Sequence, residues 1–193
     1  MNLPIVAYGN RILKQKCIQI NENSHEIQDL ISNMWETMEN SNGCGLSSSQ
    51  INKPLQLFIV DSQIIFENFD TQDQLLYFEK NDKGIRETFI NAKIIDSSGE
   101  TWEDYEGCLS IPGLSQKVKR PWRITIEYLN QDFIRENKTF TGLTARIIQH
   151  EYDHTQGVLY IDHLKPLTKK MIESKLNKIA HGNIKTGYPM KFL

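Results

Sequence analysis

Within the stretch IIQHEYDHTQG, residues 147–157, two histidines, His150 and His154, stand four positions apart, and Glu151 directly follows the first. On an α-helix, positions i and i+4 lie one above the other, so two imidazoles at this spacing face one point in space and can ligate one metal ion. Glu151 is offset by about 100° around the same helix. It can reach a water held at the metal but is poorly placed to be a ligand beside both histidines, which makes general base its natural role. His25, His163 and His181 stand alone and read as satisfied surface or core histidines.

A catalytic site of this kind needs a third protein ligand and one position left open for water. Downstream, TQGVLYIDHLKPL offers Asp162 and His163, with Glu173 further on, but no spacing matches the longer HExxHxxGxxH signature. Upstream, Cys108 in EGCLS follows a glycine between two strand-like runs, where a thiolate could point across at the helix. Cysteine is a soft ligand, and a Cys-His-His set leaves the open position. Cys17 and Cys44 read as small buried apolar side chains.

The elements that must carry these residues follow from periodicity. Residues 24–39, SHEIQDLISNMWETME, place apolar side chains on one helical face behind Ser24 as a cap. NSNGCGLSSSQ, 40–50, reads as a turn or strained loop. LQLFIVD, TFINAKIID (88–96) and RITIEYLN (123–130) read as strands. Residues 62–88 are polar and irregular around LLYF and read as an excursion from the core, an insertion by sequence pattern. A helix is expected over 143–155, with Thr141 as cap and Gly157 as stop. An amphipathic helix is expected over 167–182, with Leu167, Met171, Leu176 and Ile179 packed on the core, and GYPMKFL as an edge strand. The sum is one domain, 1–193, of α+β class: short mixed or antiparallel strands around a central HExxH helix, with an N-terminal and a C-terminal helix.

Composition removes several function classes. The chain has 193 residues, 39% hydrophobic and 24% charged, enough for one core. Its 22 basic and 24 acidic residues are interleaved, for a net charge of -2, so no electrostatic footprint for direct nucleic-acid binding exists. No apolar run approaches the roughly 20 residues of a membrane helix. The N-terminus shows no signal-peptide pattern, and three widely spaced cysteines point to a reducing compartment. Cytoplasm is the expected location; an organellar protein with its targeting segment removed would read the same way.

Three stretches together, GCGLSSSQ (43–50), EGCLS (106–110) and QHEYDH (149–154), resemble in order and spacing the signature motifs of the peptide deformylases, GxGLAxxQ, EGCLS and QHExDH. LPIVAYGNRIL near the N-terminus extends the resemblance. It implies removal of the formyl group from N-formylmethionyl nascent peptides, with release of formate. It implies Cys108, His150 and His154 as ligands of one Fe(2+), which Zn(2+), Ni(2+) or Co(2+) could replace, and Glu151 as the acid–base group. It also implies Gln50 and the Leu109 backbone N–H as donors to the developing oxyanion, and Gly43, Gly45 and Leu46 as substrate-binding positions. Some members dock on the ribosome through a C-terminal helix, so transient ribosome contact enters as a partner expectation.

Ser47 and Ser48 replace the family's usual alanines, and Thr155 replaces a leucine, so altered substrate fit or rate with retained activity is expected. Glu106 and Arg120 are candidates for a pair that fixes the cysteine loop. Two rivals remain: an HExxH metallopeptidase with a downstream third ligand, and a noncatalytic metal-binding homologue.

Overall fold

Ser24 ends an extended segment and its side chain accepts from the Ile27 N–H, which starts the helix α1, His25–Asn40, where the sequence places it. The computed structural model describes residues 2–193. In chain order the strands are β1 Ile5–Val6, β2 Gly45–Ser47, β3 Leu57–Asp61, β4 Arg86–Asp96, β5 Thr101–Cys108, β6 Ile111–Pro121, β7 Arg123–Leu129, β8 Arg135–Thr141 and β9 Met190–Lys191. The other helices are α2 Gln63–Asn68, α3 Thr71–Tyr77, α4 Gly142–Thr155 and α5 Pro166–Ala180, with short 3-10 turns at Arg11–Lys14, Ser48–Ile51 and Tyr160–His163.

A five-stranded sheet runs in the order β2-β3-β4-β7-β8, every neighbouring pair antiparallel. β5 and β6 form a separate hairpin, and β1 pairs with β9 in parallel, tying the two ends of the chain together. This is the expected α+β class, although β4 and β6 reach eleven residues. α4 packs on β2, β3 and β8, and it is buried on nearly every face. A helix so enclosed that still carries Arg146, Gln149, His150, Glu151 and His154 is costly unless its polar groups are partnered, and Arg146 Nε, Glu151 Oε2 and His154 Nδ1 are not.

Several expectations are corrected. The 40–50 stretch is not a loop throughout: Gly45–Ser47 pairs with β3, and Ser48–Ile51 forms a 3-10 turn. Residues 62–88 carry two short helices, α2 and α3, because Asp70 caps the second through the Gln72 and Asp73 N–H groups. Thr141 precedes α4 but makes no side-chain cap; Gly142, at φ +57°, makes the turn into the helix. Leu167 and Met171 are exposed, while Ile172, Leu176, Ile179 and Ala180 form the buried face of α5.

Candidate metal centre

The β5–β6 hairpin turns through Leu109 and Ser110, with Cys108 paired to Ile111 across a register shift after Glu106. That irregularity ends the strand at Cys108 and brings its sulfur to α4, since bulges re-aim side chains. Cys108 Sγ lies 3.3 Å from His154 Nε2, and the His150 and His154 rings are 5.1 Å apart. One ligand atom from each of Cys108, His150 and His154 falls within 4.8 Å of the others, the one such group of three among the described residues. A thiolate and two imidazoles at this separation fit a single divalent cation.

One ligand ring, that of His150, is held from behind, while His154 Nδ1 has no hydrogen-bond partner. His150 Nδ1 is 3.0 Å from Glu106 Oε2, which leaves Nε2 for the centre. Glu106 and Arg120 form the expected pair, a bidentate one: Arg120 Nε donates to Oε1 at 2.7 Å and Nη2 to Oε2 at 2.9 Å. Arg146 Nη1 adds a third bond to Oε1 at 2.7 Å, and Arg120 Nη1 continues to Asp153 at 2.9 Å. Burial pushes the Glu106 carboxyl up, but the His150 and Arg120 bonds outweigh it and hold it well below the usual carboxylate range. Sequence reading missed Arg146. Its signal was a charged residue one turn before His150 in a helix otherwise apolar there.

Glu151 is buried beside this centre, with Oε2 lacking any hydrogen-bond partner. Burial, with the charges of Glu106 and Asp153, pushes its carboxyl up to about 7 against the pull of His150 and Arg120. A carboxyl poised there can take and return a proton at neutral pH. Gln50 Oε1 accepts from the Ser47 N–H at 2.8 Å, which turns Nε2 toward Ser110 Oγ at 3.2 Å and Cys108 Sγ at 3.5 Å. The Tyr188 hydroxyl donates to the Leu109 carbonyl at 2.8 Å and fixes that peptide unit. Nothing in the tail around Tyr188 announced this role in the sequence.

These groups open onto a cavity of about 720 Å³ lined by Gly43, Gly45, Gln50, Leu109, His150 and Glu151, among others. The glycines are there for space, not for left-handed backbone: neither has positive φ. A Cβ at Gly43 would stand 2.8 Å from Leu109 Cδ1, and one at Gly45 would meet the Glu151 carboxylate. Leu46 points away, fully buried in the core between α1 and β3. Cys44 packs on the core as expected but also lines the cavity, and burial pushes its thiol up to about 12. His163 bonds Asp153 at 2.7 Å and lies outside the group of three ligand residues found among the described residues.

The polypeptide deformylase family model matches residues 2–170. The chain belongs to the peptide deformylase family. A peptide deformylase of Christiangramia forsetii is 42% identical over all of this chain and 96% of that protein. The crystal structure of a peptide deformylase from Ehrlichia chaffeensis superposes with a TM-score of 0.80 at 28% identity, covering 92% of this chain and 96% of that one. A plant peptide deformylase gives 0.79 at 29% identity over 99% and 96%. Metal-dependent removal of N-formyl groups is the function of the deformylase family, and the chain is an enzyme of that class with a Cys-His-His metal site. None of the described helices is long and apolar enough to cross a membrane.

Proposed function

We propose that this deformylase hydrolyses N-formylmethionyl nascent peptides with Glu151 as acid–base group and Gln50 and the Leu109 N–H as oxyanion donors. The supporting observation is the convergence of the Cys108, His150 and His154 ligand atoms, the unpartnered Glu151 oxygen and the oriented Gln50 amide on one cavity. When bound, the cation supplies Lewis acidity that lets water attack at neutral pH.

Glu151 accepts the proton of the attacking water as its oxygen bonds to the formyl carbon. Charge then grows on the formyl oxygen, and donors already fixed in place stabilise it without reorganising. Gln50 is fixed by the Ser47 N–H, and Tyr188 holds the Leu109 carbonyl, one peptide unit beyond the Leu109 N–H. Glu151 returns the proton to the nitrogen as the C–N bond breaks, leaving formate and a free amino terminus. β2 is an edge strand, so an extended peptide can lie along the Gly43–Gly45 backbone, with the main chain giving affinity and one pocket giving specificity.

The reading assigns Fe(2+) as the working ion, with Zn(2+), Ni(2+) and Co(2+) as replacements that the same donor set accepts. It places the enzyme in the cytoplasm, in keeping with three cysteines that form no disulfide. It also allows a transient ribosome contact. Anaerobically purified, iron-loaded protein is offered formyl-Met-Ala-Ser beside casein. Formate with no casein cleavage supports the reading, cleaved casein supports a peptidase, and no product from either supports the noncatalytic homologue.

A further inference from the structure

The geometry points to Ile65, on the excursion between β3 and β4, as the floor of the pocket that receives the first side chain of the formyl peptide. On this basis Ile65 sets how long a side chain the enzyme accepts. The inference rests on the deformylase reading and assigns a role to a segment that the chemistry above does not use.

The excursion is rooted to α4 and does not hang free. The Ser62 hydroxyl hydrogen-bonds the Thr144 hydroxyl at 2.8 Å, buried in the first turn of α4. The Ile85 N–H donates to the same Ser62 oxygen at 2.9 Å, and the Ser62 N–H donates back to the Ile85 carbonyl at 2.8 Å, so both ends of the excursion close on one point. Asp61 accepts from the Ile64 N–H at 3.1 Å and from Arg86 at 2.6 Å. Farther out, Phe66 packs edge-on to Phe78, Phe69 packs on Tyr77, and Tyr77 lies 5.9 Å from Trp102 of β5. The excursion therefore bridges α4 and the hairpin, the two walls of the cavity.

Its apolar residues divide into two sets. Ile64, Leu75 and Leu76 are exposed, as a solvated excursion would have them. Ile65 turns inward, packs on the core cluster that includes Ala145 and Ile148, and lines the cavity with Cys44, Leu143 and Ile147. Leu143, Ile147 and Glu151 recur every four residues along α4 and so form one ladder from this apolar end to the reacting centre.

Length decides what Ile65 touches. Thr144, where the excursion is rooted, and Glu151 are seven residues apart, about 10 Å along the helix. From a formyl carbon at Glu151 to the end of a methionine side chain is roughly 8 Å at ordinary bond lengths. The terminal methyl thus arrives at the level of Ile65, and a β-branched side chain gives way little.

The experiment measures formate release from formyl-norleucyl-Ala-Ser and from formyl-2-aminooctanoyl-Ala-Ser, whose first side chain is two carbons longer. Ile65→Ala is expected to raise the long-to-short ratio of kcat/KM about tenfold or more, chiefly through KM, while Ile65→Phe moves preference toward the shorter norvaline. Ile65→Val, one methyl smaller, moves the ratio the same way by less and serves if the alanine variant does not fold. Formate from the wild type with ratios unmoved within about twofold in Ile65→Ala or Ile65→Val overturns the inference alone. No formate from the wild type with any formyl peptide overturns the deformylase reading beneath it as well.

Discussion

Glu151 Oε1 lies 2.5 Å from where a Cβ on Gly45 would stand, closer than any real Cβ contact allows. Gly45 has no positive φ, and the three atoms nearest to such a Cβ all belong to Glu151, the proposed acid–base group, so its requirement for glycine comes from that side chain. Gly45→Ala must push Glu151 aside. The expected result is a fall in kcat of about 10²-fold, as small misplacements at a reacting centre produce, with metal content and circular dichroism unchanged. Full activity in the alanine variant would remove Glu151 from its assigned position.

Glu106 is the shared partner of Arg120, Arg146 and the ligand His150. Glu106→Gln weakens all three bonds and leaves two buried guanidinium groups short of charge. It is expected to lower metal affinity about 10–100-fold and stability by about 3–5 kcal/mol. Arg120→Met should lower metal affinity less, because Arg146 still holds the carboxylate against His150. Metal titration with a chelator ranks the two; the reverse order would mean that the carboxylate does not orient the ring.

The pH dependence of stability isolates Glu151. Its ordinary value lies near 4.3, and burial pushes it up to about 7. A carboxyl raised on folding contributes stability that is full below its unfolded value and is lost as pH climbs through about 7. Glu151→Gln has no such group. In metal-stripped protein the Tm of the variant minus that of the wild type should therefore grow from pH 5 to pH 8, since all other titrations are common to both. A flat difference would mean that the carboxyl titrates normally.

The site was more legible in the sequence than the fold around it. Helical i, i+4 spacing is a local rule, so His150, His154 and the offset Glu151 could be placed without tertiary information, and Ser24 announced α1 by its own capping chemistry. The β5–β6 hairpin was not legible: TWEDYEGC has no clean alternation of apolar and polar side chains, only its Tyr105–Cys108 end lines the cavity, and IPGLSQKVKRP carries a proline and a glycine inside a strand. Tyr188 and Ile65 act through contacts 79 residues away or on another element, for which no local pattern exists. Cys108 stood between these cases, a ligand whose partner helix was visible while the bulge that aims it was not.

Ser47 and Ser48 stand where alanine was expected, and altered substrate fit was the sequence-based expectation. The structure locates both hydroxyls away from the cavity. Ser48 Oγ donates to the Leu55 carbonyl at 2.8 Å, and Ser47 Oγ lies 3.4 Å from Ser49 Oγ, all fully buried. The bond that orients Gln50 comes from the Ser47 main chain, which alanine keeps. Leu55 O also accepts from the Leu57 N–H, so Ser48→Ala orphans nothing and should lower stability by only about 1 kcal/mol. Ser47→Ala should lower it less, and kcat/KM should stay within about twofold in both, since neither hydroxyl bonds the Gln50 side chain or lines the cavity. A change in KM without a change in Tm for Ser48→Ala would mean that its hydroxyl meets the substrate after all.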